Sequence, residues 1–111
     1  MSFEKNTIKC IDVLISGELN EANKKYPMFH SEHEGYAVIK EEFEETKFNM
    51  GLAERTFECI WENIKLNSSA DVIKGIKAMR SEMHMLIAEA IQTAAMCDKM
   101  LNSMKNNNGE E

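Results

Sequence analysis

Asn67-Ser68-Ser69-Ala70 is the stretch on which the fold turns. It is the one strong break between two long segments rich in Glu, Lys, Met, Ala and Ile. Neither segment sustains a period-two alternation of β-branched residues, so strands are not expected. Four small residues between two helical patterns read as a tight helix–helix connection. Ser68 or Ser69 supplies the hydroxyl that caps the following helix, and Asp71 complements its positive end. Working forward, that helix runs to about Lys105 and carries Ile73, Ile76, Met79, Met83, Leu86, Ile91, Ala94 and Leu101. Working backward, a helical pattern through Val38, Ile39, Phe43, Leu52, Phe57, Ile60, Trp61 and Ile64 ends near Leu66. Its start is Ser31-Glu32-His33-Glu34, a capping box in which the Ser31 hydroxyl accepts from the Glu34 amide. Gly51 is the expected kink of this long helix.

A further helix is expected over 3–24, with Ile8, Ile11, Ile15, Leu19 and Ala22 on one face at steps of three and four. It stops before Pro27, which disfavours helical geometry at Tyr26. The expectation is an all-α chain: an N-terminal helix and a long antiparallel hairpin in a single domain over 1–105, then a disordered tail over 106–111.

A helical chain of 111 residues buries roughly 60–70% of its unfolded surface. It can fold alone, although spare apolar faces favour a homodimer or homotetramer. The net charge of −6 and pI near 5.1 argue against a nucleic-acid groove, which needs a basic stripe. Small anionic ligands are repelled too, unless a bound cation inverts the local field. No stretch approaches the ~20 apolar residues of a membrane span, and Met1-Ser2-Phe3-Glu4-Lys5-Asn6 lacks a secretory pattern. Cys10, Cys59 and Cys97 are odd in number and lack C-x-x-C spacing, so they read as reduced packing residues of a cytoplasmic protein.

Two polar pairs mirror each other across the turn. Glu42 and Gln92 each lie twenty-five residues from Asn67, and Glu45 and Glu89 each lie twenty-two. In an antiparallel hairpin both pairs arrive at one height, so three carboxylates and an amide converge. Val38, Glu42, Glu45 and Asn49 share one face, and Met85, Glu89, Gln92, Met96 and Lys99 share the facing one. Carboxylates in line with apolar residues are costly unless a proton, a basic partner or a metal neutralises them. Oxygen donors of this kind suit Mg²⁺ first and Mn²⁺ second; Zn²⁺ prefers His and Cys. The alternative is that the Glu-rich run is a solvated face, as is expected of Lys40, Glu41 and Glu44.

Other residues have narrower readings. Tyr36, near the start of the ligand-bearing helix, is a candidate for stacking on a base. Lys99 is either a surface lysine or, with the helix-end amides near Gly35, a holder of phosphate. His30 and His33 fit a loop and cap, His84 a structural position, and Trp61 a core or subunit-interface anchor. Methionines 79, 83, 85, 96 and 100 are adaptable packing residues that could also line a base pocket.

Glu41-Glu42-Phe43-Glu44-Glu45 resembles the EExxE motif of the MazG-like, all-α nucleoside triphosphate pyrophosphohydrolases, and Glu89-Ala90-Ile91-Gln92 stands where that superfamily has ExxD. The strings 33–42 and 89–96 are similar to small MazG-like proteins of bacteriophages and prophages, a likeness covering about residues 22–104. The resemblance implies an oligomeric helical fold with Mg²⁺ between helices, and hydrolysis of a nucleoside or deoxynucleoside triphosphate to monophosphate and pyrophosphate. It implies Glu42, Glu45 and Glu89 as metal ligands and Glu41 as the carboxylate that orients the attacking water. Two departures stand out: Gln92 replaces an acidic ligand by a neutral one, and the 43 residues between Glu45 and Glu89 exceed the usual interval. Both also suit a non-catalytic phage protein that sequesters a nucleotide, and the solvated-face reading of the acidic run suits a helical protein-interaction module.

Overall fold

A computed structural model describes residues 4–107. It contains three helices and, among the described residues, no strand: α1 (Lys5–Asn23), α2 (Glu32–Lys65) and α3 (Ser69–Asn107). Residue 3, the expected start of the first helix, lies outside the described residues. So do residues 108–111 of the expected tail, whereas Asn106 and Asn107 continue α3.

The caps follow local chemistry. The Glu34 amide donates to Ser31 Oγ at 3.1 Å, and the Gly35 amide to the Ser31 carbonyl at 3.1 Å. At the far end of α2, Asn67 adopts the left-handed conformation (φ 56°) that asparagine tolerates better than most residues. Its amide donates to the Ile64 carbonyl and that of Ser68 to the Asn63 carbonyl, both at 3.0 Å. This pair of bonds closes the helix end with a Schellman turn built on asparagine. Ser68 then starts α3: its carbonyl accepts from Val72, and its hydroxyl donates to Asp71 Oδ2 at 2.6 Å.

α2 passes through Gly51 without interruption over 34 residues. The kink expected there is not a break, because every backbone donor in a helix interior keeps its partner whether or not a side chain is present.

By packing, the chain divides into two compact units, Met1–Phe43 with Ala90–Glu111 and Glu44–Glu89. In the first, Phe29, Ala95 and Met96 are buried, with Ile15, Leu19, Ala22, Val38, Ile39 and Met100 packed against them. The apolar face read for α1 is therefore the one that packs. Ile8 at its start stays 46% exposed. The Phe29 amide donates to Ser103 Oγ at 2.9 Å, and that hydroxyl donates to the Lys99 carbonyl at 2.7 Å, which pins the inter-helix loop to α3. A side chain at Gly35 would collide with Met100 and Phe29, so glycine permits this close approach.

In the second unit, α2 and α3 are antiparallel neighbours joined by the Asn67 turn. A Cβ on Gly75 would lie 2.6 Å from Ile60 Cγ1. Thr56 Oγ1 donates to Glu82 Oε2 at 2.9 Å, while Glu82 Oε1 is buried with no protein donor. The only buried hydrophobic residues of this unit are Ala53 and Ile60.

Several expectations are corrected here. All three cysteines are exposed and do not pack. Phe57, Trp61, Ile73, Ile76 and Leu101 belong to the helical pattern yet stand 52–61% exposed. Met85, placed by spacing on the facing surface, is 57% exposed. Helical periodicity identifies which residues share a stripe; it does not say which of two adjacent stripes meets the neighbouring helix.

Candidate functional site

Glu42 and Glu45 stand one turn apart on the uninterrupted α2, so their side chains leave the same face. Glu89 comes from α3. The three offer carboxylate oxygens that all lie within 4.8 Å of one another, with Glu42 and Glu89 half-buried and Glu45 exposed. No other group of three or more His, Cys, Asp or Glu side chains among the described residues meets this criterion.

The electrostatics follow from that crowding. Glu89 has its pKa raised, first by burial, then by a side-chain hydrogen bond with Glu45, then by the charge of Glu45. A hydrogen bond between two carboxyl groups requires a proton on one of them. Glu89, the more covered of the two, is the group pushed towards holding it. The same proton is what a divalent cation would displace, so the donor set fits a hard cation that prefers oxygen.

The remaining candidates are distributed as follows. Gln92 is half-buried one turn beyond Glu89 on α3. Glu41 is exposed and is not among the three carboxylates that converge. Tyr36 is 65% exposed and, with Glu32 and His33, lines a shallow depression. Lys99 is not a surface lysine: it is 5% exposed, and its ammonium lies 4.9 Å from the centre of the Phe29 ring. His84 is exposed, which corrects its reading as a structural residue. Trp61, 57% exposed, is no core residue of this chain; Lys65 Nζ lies 5.7 Å from its ring centre.

Sequence reasoning missed the cavity of about 380 Å³ lined by Phe29, His30, Ser31, Glu32, His33, Met100, Ser103 and Met104. His30 and His33 border it as the loop and cap residues they were read to be. The available signal was the pairing of two small residues, Ser31 and Ser103, near the mirrored ends of α2 and α3. None of the acidic trio lines this cavity.

The fold and cluster thus define an all-α protein with two long helices bearing three converging glutamates. No family model, curated protein or solved structure matches the chain. No helix among the described residues is long and apolar enough to cross a membrane.

Proposed function

We propose that this is a MazG-like, Mg²⁺-dependent nucleotide-binding protein that hydrolyses a nucleoside or deoxynucleoside triphosphate to monophosphate and pyrophosphate. The observation that carries the reading is the approach of Glu42, Glu45 and Glu89 to within 4.8 Å. In water three such charges repel; held together on two helices, they have a use if a cation binds. Mn²⁺ would satisfy the same donors.

Glu42, Glu45 and Glu89 would hold the cation, with the Gln92 amide oxygen as a neutral fourth donor. The bound ion would screen phosphate charge and make water a stronger nucleophile. In the reaction, a water oxygen bonds to the α-phosphorus and the bond to the bridging oxygen breaks, releasing pyrophosphate. Glu41 has the role of orienting that water and Tyr36 that of stacking on the base, whereas Lys99, buried against Phe29, is not placed to meet a phosphate at the surface.

The test is pyrophosphate release from a panel of ribo- and deoxynucleoside triphosphates with Mg²⁺, against Glu45→Ala. Turnover is expected in the parent protein and lost in the variant with helicity retained. Equal turnover in both would sink the assignment.

A second reading, a non-catalytic nucleotide binder, is favoured by two observations. Gln92 withholds a negative charge, and exposed Glu41 is not among the convergent carboxylates. Saturable nucleotide binding without pyrophosphate would select it, and multiple turnover would exclude it.

A further inference from the structure

Within the unit formed by residues 1–43 and 90–111, the α1–α2 loop and the last turns of α3 are tied together. The Phe29 amide donates to Ser103 Oγ at 2.9 Å, and that hydroxyl donates to the Lys99 carbonyl at 2.7 Å. His30 directly follows Phe29. Met100 and Met104 stand on either side of Ser103, four residues apart, so they leave one face of α3. The Ser31 hydroxyl accepts from the Glu34 amide at 3.1 Å and fixes the first turn of α2, which carries His33. These two histidines and two methionines all line the cavity of about 380 Å³.

Two imidazoles and two thioethers around one space are a selective donor set. A thioether sulfur is uncharged and polarisable, a poor ligand for hard cations and a good one for monovalent copper; imidazole suits copper as well. Zn²⁺ is disfavoured, because its sites are completed by thiolate, imidazole or carboxylate. Neither histidine belongs to a group of three or more such donors among the described residues. Packing does not use up the sulfurs. Met100 rests against Gly35 and Phe29 yet still lines the cavity, and half-buried Met104 is not among the residues packed on the Phe29 cluster. Ser103, its hydroxyl committed at both ends, is scaffold and not donor.

We propose that this cavity is a site for a soft monovalent metal ion of the Cu⁺ class, held by the sulfurs of Met100 and Met104 and the imidazoles of His30 and His33. The start of α2 with its preceding loop supplies two donors and α3 supplies two. The ion therefore fastens the same two segments that the Phe29–Ser103 hydrogen bond joins. A ligating imidazole is neutral, so all four donors are uncharged and the ion brings a positive charge to a chain of net charge −6. The inference does not depend on the acidic trio. Carboxylate oxygens select a hard cation and this set a soft one, so the two sites sort metals by softness.

Titration with Ag⁺, a redox-inert counterpart of Cu⁺, tests it, followed by the methyl NMR signals of the nine methionines. Cys10, Cys59 and Cys97 are exposed and compete for soft ions, so the parent chain is compared with one carrying Cys10→Ser, Cys59→Ser and Cys97→Ser. In the chain without thiols, one Ag⁺ should bind, move the Met100 and Met104 signals and raise the melting temperature. In the parent the same two signals should move once the thiols are occupied. Met104→Leu, which conserves volume, and His30→Asn should each weaken binding by roughly tenfold or more. Met85→Leu and Glu45→Ala should leave it unchanged. Absence of saturable Ag⁺ binding in both chains would overturn the proposal. So would binding that leaves the Met100 and Met104 signals in place, that ignores Met104→Leu and His30→Asn, or that Zn²⁺ matches in affinity.

Discussion

Glu89 is where burial and charge meet. Its neighbours in the cluster, Glu42 and Glu45, are both acidic, and its pKa is raised chiefly by desolvation and then by Glu45. For a carboxyl with a raised folded pKa, the stabilising contribution is complete below the unfolded value and is lost as pH rises through the folded one. Without divalent cations, melting temperature should therefore fall over the window from the ordinary glutamate pKa up to the raised value. On the proposed function Mg²⁺ would bind the deprotonated trio, and the stabilisation it gives should then grow across the same window. In Glu89→Gln the fall should flatten and the Mg²⁺ effect shrink. Melting curves against pH in chelator and in Mg²⁺ would check this; an unchanged pH profile in the variant would count against Glu89 as the titrating group.

At the scale of elements, two glycines on the hairpin helices make opposite predictions. A Cβ at Gly51 meets nothing within 4 Å. Gly51→Ala should therefore stabilise by about 0.5–1 kcal/mol, since alanine loses less backbone freedom in a helix. At Gly75 the added carbon runs into the branched Ile60 side chain. Gly75→Ala should cost about 1–3 kcal/mol through overpacking. Urea unfolding at one fixed protein concentration would measure both, and equal effects would contradict the close approach of Ile60 to Gly75. The element boundaries were legible because each rests on a few adjacent residues. Ser31 is placed to cap α2, Pro27 follows the end of α1, and Asn67 takes the left-handed turn that closes α2.

At the scale of the whole molecule, the described chain buries only five hydrophobic residues: Phe29, Ala53, Ile60, Ala95 and Met96. If chains associate as the sequence reading expects, a second copy stabilises by mass action, and melting temperature should then rise with protein concentration. A concentration-independent melting temperature across the range where the mass changes would show that each chain folds without its partner.

The sequence by itself determined three helices, the Ser31 cap of α2, the turn at Asn67 and the equal height of Glu45 and Glu89. These follow from backbone chemistry within a few residues and from counting along an uninterrupted helix. Only the tertiary structure decided which faces meet. It placed Lys99 beneath the surface against Phe29, left the cysteines and Trp61 outside, and set a Thr56–Glu82 hydrogen bond between the helices of the 44–89 hairpin. It also brought three carboxylates within 4.8 Å while leaving Glu41 outside the group. The physical reason is rotational. A helix with two neighbouring stripes can turn either one inward, and the choice depends on close approaches such as Gly35 at Met100 and Gly75 at Ile60, which no local pattern records.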